Sequence, residues 1–126
     1  VSAIVGKYKV GGRIDAAVVI APSGDIDFRE MTKIKKIICE DLLRDQPRFV
    51  LCLKKVEFVN YLAIGVLAAG LKTIRNCNGD LKLAEMDPLV REIFTHVGMD
   101  QLFEIYATVG EAIEAFDEEW EGAVNQ

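Results

Sequence analysis

The hydrophobic positions of this chain change period several times, and each change marks an element. Residues 3–10 and 14–21 are both strand-like and are joined by Gly11-Gly12. Two glycines tolerate the positive φ angles of a tight turn, so the spacing predicts an antiparallel hairpin at the start. Ala16-Ala17-Val18-Val19-Ile20-Ala21 has almost no polar alternation, the signature of a strand covered on both faces, and Pro22-Ser23-Gly24-Asp25 reads as its end. Over residues 28–44, Met31, Ile34, Ile37, Ile38 and Leu42 recur with a helical period, with lysine and glutamate opposite. That pattern predicts an amphipathic helix laid on a sheet. Pro47 closes the connection and Phe49-Val50-Leu51-Cys52-Leu53 predicts a further buried strand.

Asn60 reads as a turn residue or helix cap, and the pattern is helical from about Leu62 to Asn76. Val66, Leu67, Leu71 and Ile74 are expected to face the core, and the small residues Gly65, Ala68, Ala69 and Gly70 to let this helix lie close on the sheet. Asn78-Gly79-Asp80 makes a turn before a short strand, Leu81 to Ala84. Asp87-Pro88 reads as N-cap and first residue of a helix running through Leu89, Val90, Ile93 and Phe94 to Val97, with Gly98 as its stop. A last short strand fits Phe103 to Tyr106. Thr108 and Glu111 form a capping box for a helix with Val109, Ala112, Ile113, Phe116 and Trp120 on its apolar face; from about Asp117 the chain is acidic and expected to fray.

Strands and helices that alternate in this way call for parallel pairing through right-handed crossovers. The expected fold is α/β: a small mixed, mainly parallel sheet with an N-terminal antiparallel hairpin, flanked by about four helices. A length of 126 residues suits one domain, with its core at about 14–116, and a hydrophobic fraction of 51% can build that core without disulfides or metals.

Charge and cysteine usage narrow the function. A net charge of −5 argues against nucleic acid as a partner, since binders of phosphate backbones carry a basic stripe. The lysines Lys33, Lys35, Lys36, Lys54, Lys55, Lys72 and Lys82 are scattered and read as a solvated surface. Cys39, Cys52 and Cys77 are odd in number and far apart, with Cys52 in an apolar strand; reduced thiols and a cytoplasmic location follow. Lys7, Lys9 and the glycine pair interrupt any apolar run of a signal peptide. The longest apolar stretch, Tyr61 to Leu71, falls short of the roughly 20 residues that direct membrane insertion needs.

Parts for catalysis are scarce. His96 is the single histidine and sits where a helix ends, a position at which histidine commonly satisfies terminal carbonyls. Asp25 and Asp27 are close in a loop, but no further metal ligands follow at suitable spacing. Nucleotide-binding loops of the GxxxxGK[ST] or GxGxxG kind are absent, and the run Glu111, Glu114, Asp117, Glu118, Glu119, Glu121 reads as a solvated face. No catalytic residue, metal or cofactor is expected. The rival reading is a small-ligand site built on Asp25, Asp27 and His96.

Three segments in register carry a family resemblance. Gly24-Asp25-Ile26-Asp27 after a buried strand resembles the Gly-Glu/Asp-Leu/Ile-Asp signature of STAS domains, the family of bacterial anti-sigma factor antagonists. The stretch from Phe49 to Leu67 is similar to the family's central segment, in which a buried strand runs into Phe-Met-Asp-Ser-Ser-Gly-Leu-Gly-Val-Leu. Gly98-Met99-Asp100-Gln101-Leu102-Phe103-Glu104-Ile105-Tyr106, followed by Glu111-Ala112-Ile113, resembles its closing pattern. The resemblance implies a protein-binding regulator, not an enzyme, whose partner-binding face comprises Asp25, Asp27, Asn60, Tyr61, Leu62, Ala63 and Ile64. In such antagonists a serine at the helix start is phosphorylated by an ATP-binding anti-sigma factor kinase, and the unphosphorylated form binds that kinase.

This chain departs from the pattern at the switch itself. Tyr61 stands at the position of the phosphorylated serine, Leu62 at the next serine and Asn60 at the aspartate, and Thr32 is the one serine or threonine between Ser23 and this loop. Tyr61 is not expected to be phosphorylated, because its hydroxyl stands several ångströms farther from the backbone. The resemblance leaves open a binder without serine control, a structural subunit of a stressosome-type or lipid-transport complex, or a paralogue with some unrelated partner. For Tyr61 the alternatives are an exposed anchor or packing over the helix end, and exposure of both Tyr61 and Leu62 would favour the anchor.

Overall fold

A computed structural model of the chain describes the backbone of residues 3–10, 13–40, 42 and 47–124, and the side chains of residues 17–40, 42 and 47–116. Along the chain lie β1 (Ala3–Val10), β2 (Arg13–Ile26), α1 (Phe28–Glu40), β3 (Arg48–Cys52), β4 (Lys55–Val59), α2 (Tyr61–Asn76), β5 (Asp80–Ala84), α3 (Pro88–His96), β6 (Glu104–Tyr106) and α4 (Val109–Val124). This is an α/β fold with four helices. The sheet runs β1-β2-β3-β5-β6, with β4 paired to β2 beyond the end of β3. β1 lies antiparallel to β2 and every other pairing is parallel. The Gly11-Gly12 link lies outside the described residues; the helix expected to reach residue 44 ends at Glu40, with Leu42 in a turn and residues 43–44 outside the described set.

Two features of the middle of the chain differ from the sequence pattern. Pro22-Ser23-Gly24-Asp25 does not end β2. The strand shifts register between Gly24 and Asp25, with Gly24 at φ 80°, and then continues to Ile26. This bulge lies within the pairing of β2 with β4, where Glu57 is the extra residue between the partners of Gly24 and Asp25. The first part of β2 pairs with β3 at Val18–Ile20 and its last part with β4 at Ser23–Ile26. β4 itself has no counterpart among the sequence-predicted strands. Its burial alternates poorly, with Val56 and Val59 buried but Glu57 and Phe58 exposed, so period-two arithmetic does not reveal it.

The capping residues behave as their types predict. Asp27 accepts from Glu30 N–H at 2.8 Å, Asn60 from Leu62 N–H at 2.8 Å, Asp87 from Leu89 N–H at 2.9 Å and Thr108 Oγ1 from Glu111 N–H at 3.1 Å. Each satisfies an N–H that the first helical turn leaves without an intrahelical acceptor. Gly98, at φ 74°, stops α3 in the left-handed conformation, and Met99 N–H reaches back to the Phe94 carbonyl at 3.0 Å. α4 stays helical to Val124, past the acidic stretch where fraying is expected.

Alternation along the strands divides the core in two. Val18, Ile20, Phe49, Leu51, Leu81 and Leu83 pack with α1, α2 and α3 on one face, joined by Met31, Ile38, Ile64, Leu67, Leu71, Ile74, Phe94 and Phe103. Ala17, Val19, Val50 and Ala84 pack with Ala112 and Phe116 of α4 on the other. Gly70 is buried facing Lys35 on α1, where an added Cβ would sit at an ordinary contact distance of 3.8 Å from Cγ. Gly65 is exposed, with open space beside it.

Lys82 overturns its reading as a surface lysine. It alternates with Leu81 and Leu83 and therefore points beneath α4, where it is 0% exposed. Its ammonium pairs with Glu104 and, at 3.3 Å, with Asp80, and lies 4.5 Å from the Phe116 ring centroid. Ion pairs and an aromatic face together replace the water it has lost. Both carboxylates keep access to solvent, and Asp80 is also paired with Arg75 at 3.1 Å. Lys82→Met, close in volume, is expected to shift the unfolding free energy by less than about 1.5 kcal/mol, read from urea melts at neutral pH.

Candidate partner-binding site

The face expected to bind a partner forms where β2, β4 and α2 converge. β4 runs parallel to the end of β2, with Asp25 opposite Phe58 and Ile26 opposite Val59. Asn60 N–H then donates to the Ile26 carbonyl at 2.9 Å, which ties the start of α2 to the end of β2. α2 and α1 begin side by side as a consequence, and their first residues share one surface.

Tyr61 and Leu62, on the first turn of α2, are 64% and 57% exposed. Both stand out in solvent, the arrangement that favours an anchor over packing. Phe28, the first residue of α1, and Phe58 of β4 are exposed as well, and together they make a run of large apolar side chains without cover. A depression of about 480 Å³ is lined by Asp27, Phe28, Arg29, Asn60 and Leu62. On the other side of Tyr61 a groove of about 640 Å³ is lined by Phe58, Val59, Tyr61, Leu89, Glu92, Ile93, His96 and Val97.

Two residues expected on this face are not on it. Ala63 and Ile64 are 0% exposed, because the third and fourth positions of α2 turn onto the sheet and pack with the main core. A helix presents only part of its circumference to solvent, so contiguous sequence cannot be a contiguous surface. Asp25 and Asp27 are both exposed, with Asp27 engaged as the cap of α1. Phe28, Phe58 and Leu89 are the surface residues that sequence reasoning missed. Leu89, 68% exposed, lies on the outer side of the first turn of α3, whose inner side is taken by buried Val90.

Little in this region suits chemistry. Asp27 and His96, two of the three residues of the rival small-ligand reading, line different depressions. Among the described residues no group of three or more His, Cys, Asp or Glu side chains could hold a metal ion. Cys52 is half-buried and its Sγ lies 3.9 Å from a Glu85 carboxylate oxygen. Burial foremost, with Glu85 adding to it, pushes its thiol up, away from the reactive thiolate. No helix among the described residues is long and apolar enough to cross a membrane.

A mainly parallel α/β domain with Phe28, Phe58, Tyr61, Leu62 and Leu89 uncovered around the start of α2 is the class that this fold and face define. The STAS domain family model matches residues 9–112, and the chain belongs to that family. A Thermotoga maritima protein provisionally named an anti-sigma factor antagonist is 25% identical over 108 residues, which cover 85% of this chain and 93% of the relative. The crystal structure of an anti-sigma factor antagonist from Mycobacterium paratuberculosis superposes with a TM-score of 0.73 at 23% identity, covering 90% of this chain and 92% of that one. The unphosphorylated form of the anti-sigma factor antagonist SpoIIAA superposes with a TM-score of 0.72 at 18% identity over 91% of this chain and 96% of that one.

Proposed function

We propose that this chain is a non-enzymatic STAS-domain regulator that docks an ATP-binding anti-sigma factor kinase through the start of α2, without a serine switch. One observation carries the proposal: Tyr61 and Leu62 stand exposed on the first helical turn, beside exposed Phe28 and Phe58. Family membership and relatives named for the same activity support it.

The physical contrast with a serine-bearing loop is direct. A phosphate carries about −1.5 to −2 charges at neutral pH and sits favourably at a helix N-terminus, where free N–H groups and the helix dipole meet it. Within an interface the same group brings bulk, desolvation and repulsion from nearby acids. Here the first turn offers a phenol and a leucine, and its cap is a neutral carboxamide already bonded to Leu62 N–H. Docking is therefore continuous, set by the amount of partner and not by a removable charge.

Calorimetric titration of the purified chain with the kinase from the same genome tests this. Tyr61→Ala and Leu62→Asp are each expected to weaken binding about tenfold or more, as loss of an interface anchor does, with circular dichroism melts unchanged. Kinase and ATP together are expected to transfer no phosphate to the chain. Affinity equal to the parent's in both variants, or a phosphopeptide containing Tyr61, defeats the proposal.

A further inference from the structure

The groove between α3 and the start of α2 adjoins the proposed docking face and shares Tyr61 and Phe58 with it, whereas Leu62 lines the neighbouring depression. Leu89, Ile93 and Val97 line one wall at four-residue spacing along α3 and its C-cap; Tyr61 forms the other wall, with Phe58 and Val59 as the floor. α3 is nine residues long, so the wall extends about 13 Å, two to three turns of a helix laid against it. Its volume of about 640 Å³ is enough for a few apolar side chains. Large apolar groups left open to water in this arrangement are the receiving half of a helix-in-groove contact.

Charge distinguishes between the possible helices. Glu92 is the carboxylate on the groove wall, where His96 also lies, and no lysine or arginine lines it among the described residues; in the adjoining depression that Leu89 also lines, Lys54 and Lys55 are matched by Glu57 and Asp87. Asp25, also exposed, stands directly across from Phe58 in the β2–β4 register. A helix with an acidic polar face would meet these carboxylates as like charges, whereas a basic one would complement them. We propose that this groove receives a basic amphipathic helix of a partner protein, its apolar stripe between Leu89 and Tyr61 and its lysine or arginine side chains at Glu92 and Asp25. The inference rests on the reading of this chain as a protein-binding regulator and adds a second contact with a defined chemistry.

Two synthetic amphipathic helices with the same leucine stripe provide the probe, one with a lysine polar face and one with a glutamate polar face, each labelled for fluorescence anisotropy. The lysine helix is expected to bind at least about tenfold more tightly than the glutamate helix at low ionic strength, where charge selectivity is least screened. Leu89→Asp, at an exposed position that the fold does not need, is expected to abolish binding, and Glu92→Lys to reverse the preference. Leu62→Asp is expected to leave it unchanged, because Leu62 lines the neighbouring depression. No binding of either helix, equal binding of both, or binding that survives Leu89→Asp overturns the inference. So does a small apolar dye that fills the groove and is not displaced by the lysine helix. Failed helix binding with kinase docking intact defeats this inference alone, and failed kinase docking with helix binding intact defeats only the kinase assignment.

Discussion

Gly79→Ala is expected to destabilise the fold by about 3 kcal/mol or more, and to lower the melting temperature by roughly 10 °C. A Cβ at this position would lie 2.0 Å from the Pro47 carbonyl oxygen, 2.7 Å from Pro47 Cγ and 3.0 Å from Ile74 Cγ2. The first of these is backbone and cannot rotate away. That same carbonyl accepts from Asp80 N–H at 3.0 Å, the bond that sets β5 beside the entry to β3. Relieving the clash means separating the two chains just where the parallel pairing begins, so overpacking and a lost hydrogen bond act together. Urea unfolding of the two proteins measures the difference. A midpoint within error of the parent would show that the turn relaxes freely, contrary to its packing.

Ile64→Ala is expected to lower stability by about 2–5 kcal/mol while leaving partner affinity per folded molecule within roughly twofold. Ile64 is 0% exposed on the inner face of α2, packed in the main core. Its truncation leaves a cavity in a close-packed interior and removes nothing from the surface. Leu62, two residues earlier, has the opposite profile: 57% exposed, with partner binding at stake and little stability. Denaturant melts and titrations on the same two variants separate the roles. Tight binding lost in Ile64→Ala under conditions where it is fully folded would place this side chain, against its burial, in the interface.

The contrast between these neighbours shows how far a linear reading of the site can go. A motif names a stretch of chain, and the stretch from Asn60 to Ile64 does begin at the face. The α-helix then divides it, with Tyr61 and Leu62 outward and Ala63 and Ile64 inward. Phe28 and Phe58 join the same surface from other elements, α1 and β4, and no spacing in the sequence links them. Lys82 makes the same point for the core. A lysine among leucines reads as polar alternation facing water, until α4 is folded across that side of the sheet and Asp80 and Glu104 are brought to its ammonium.

Local chemistry was sufficient for the elements whose cause is local. Asp87-Pro88, Thr108 with Glu111 and Gly98 mark helix ends because cap and turn preferences act within a few residues. The 3.6-residue period likewise located α1, α2 and α3, since burying one face of a helix needs only that the face exist. What tertiary structure alone decided is the change of partner along β2, the short strand β4 and the joint surface of Phe28, Phe58, Tyr61, Leu62 and Leu89. Strand pairing and surface neighbourhood depend on segments far apart in the chain, and their free energy is realised only when those segments meet.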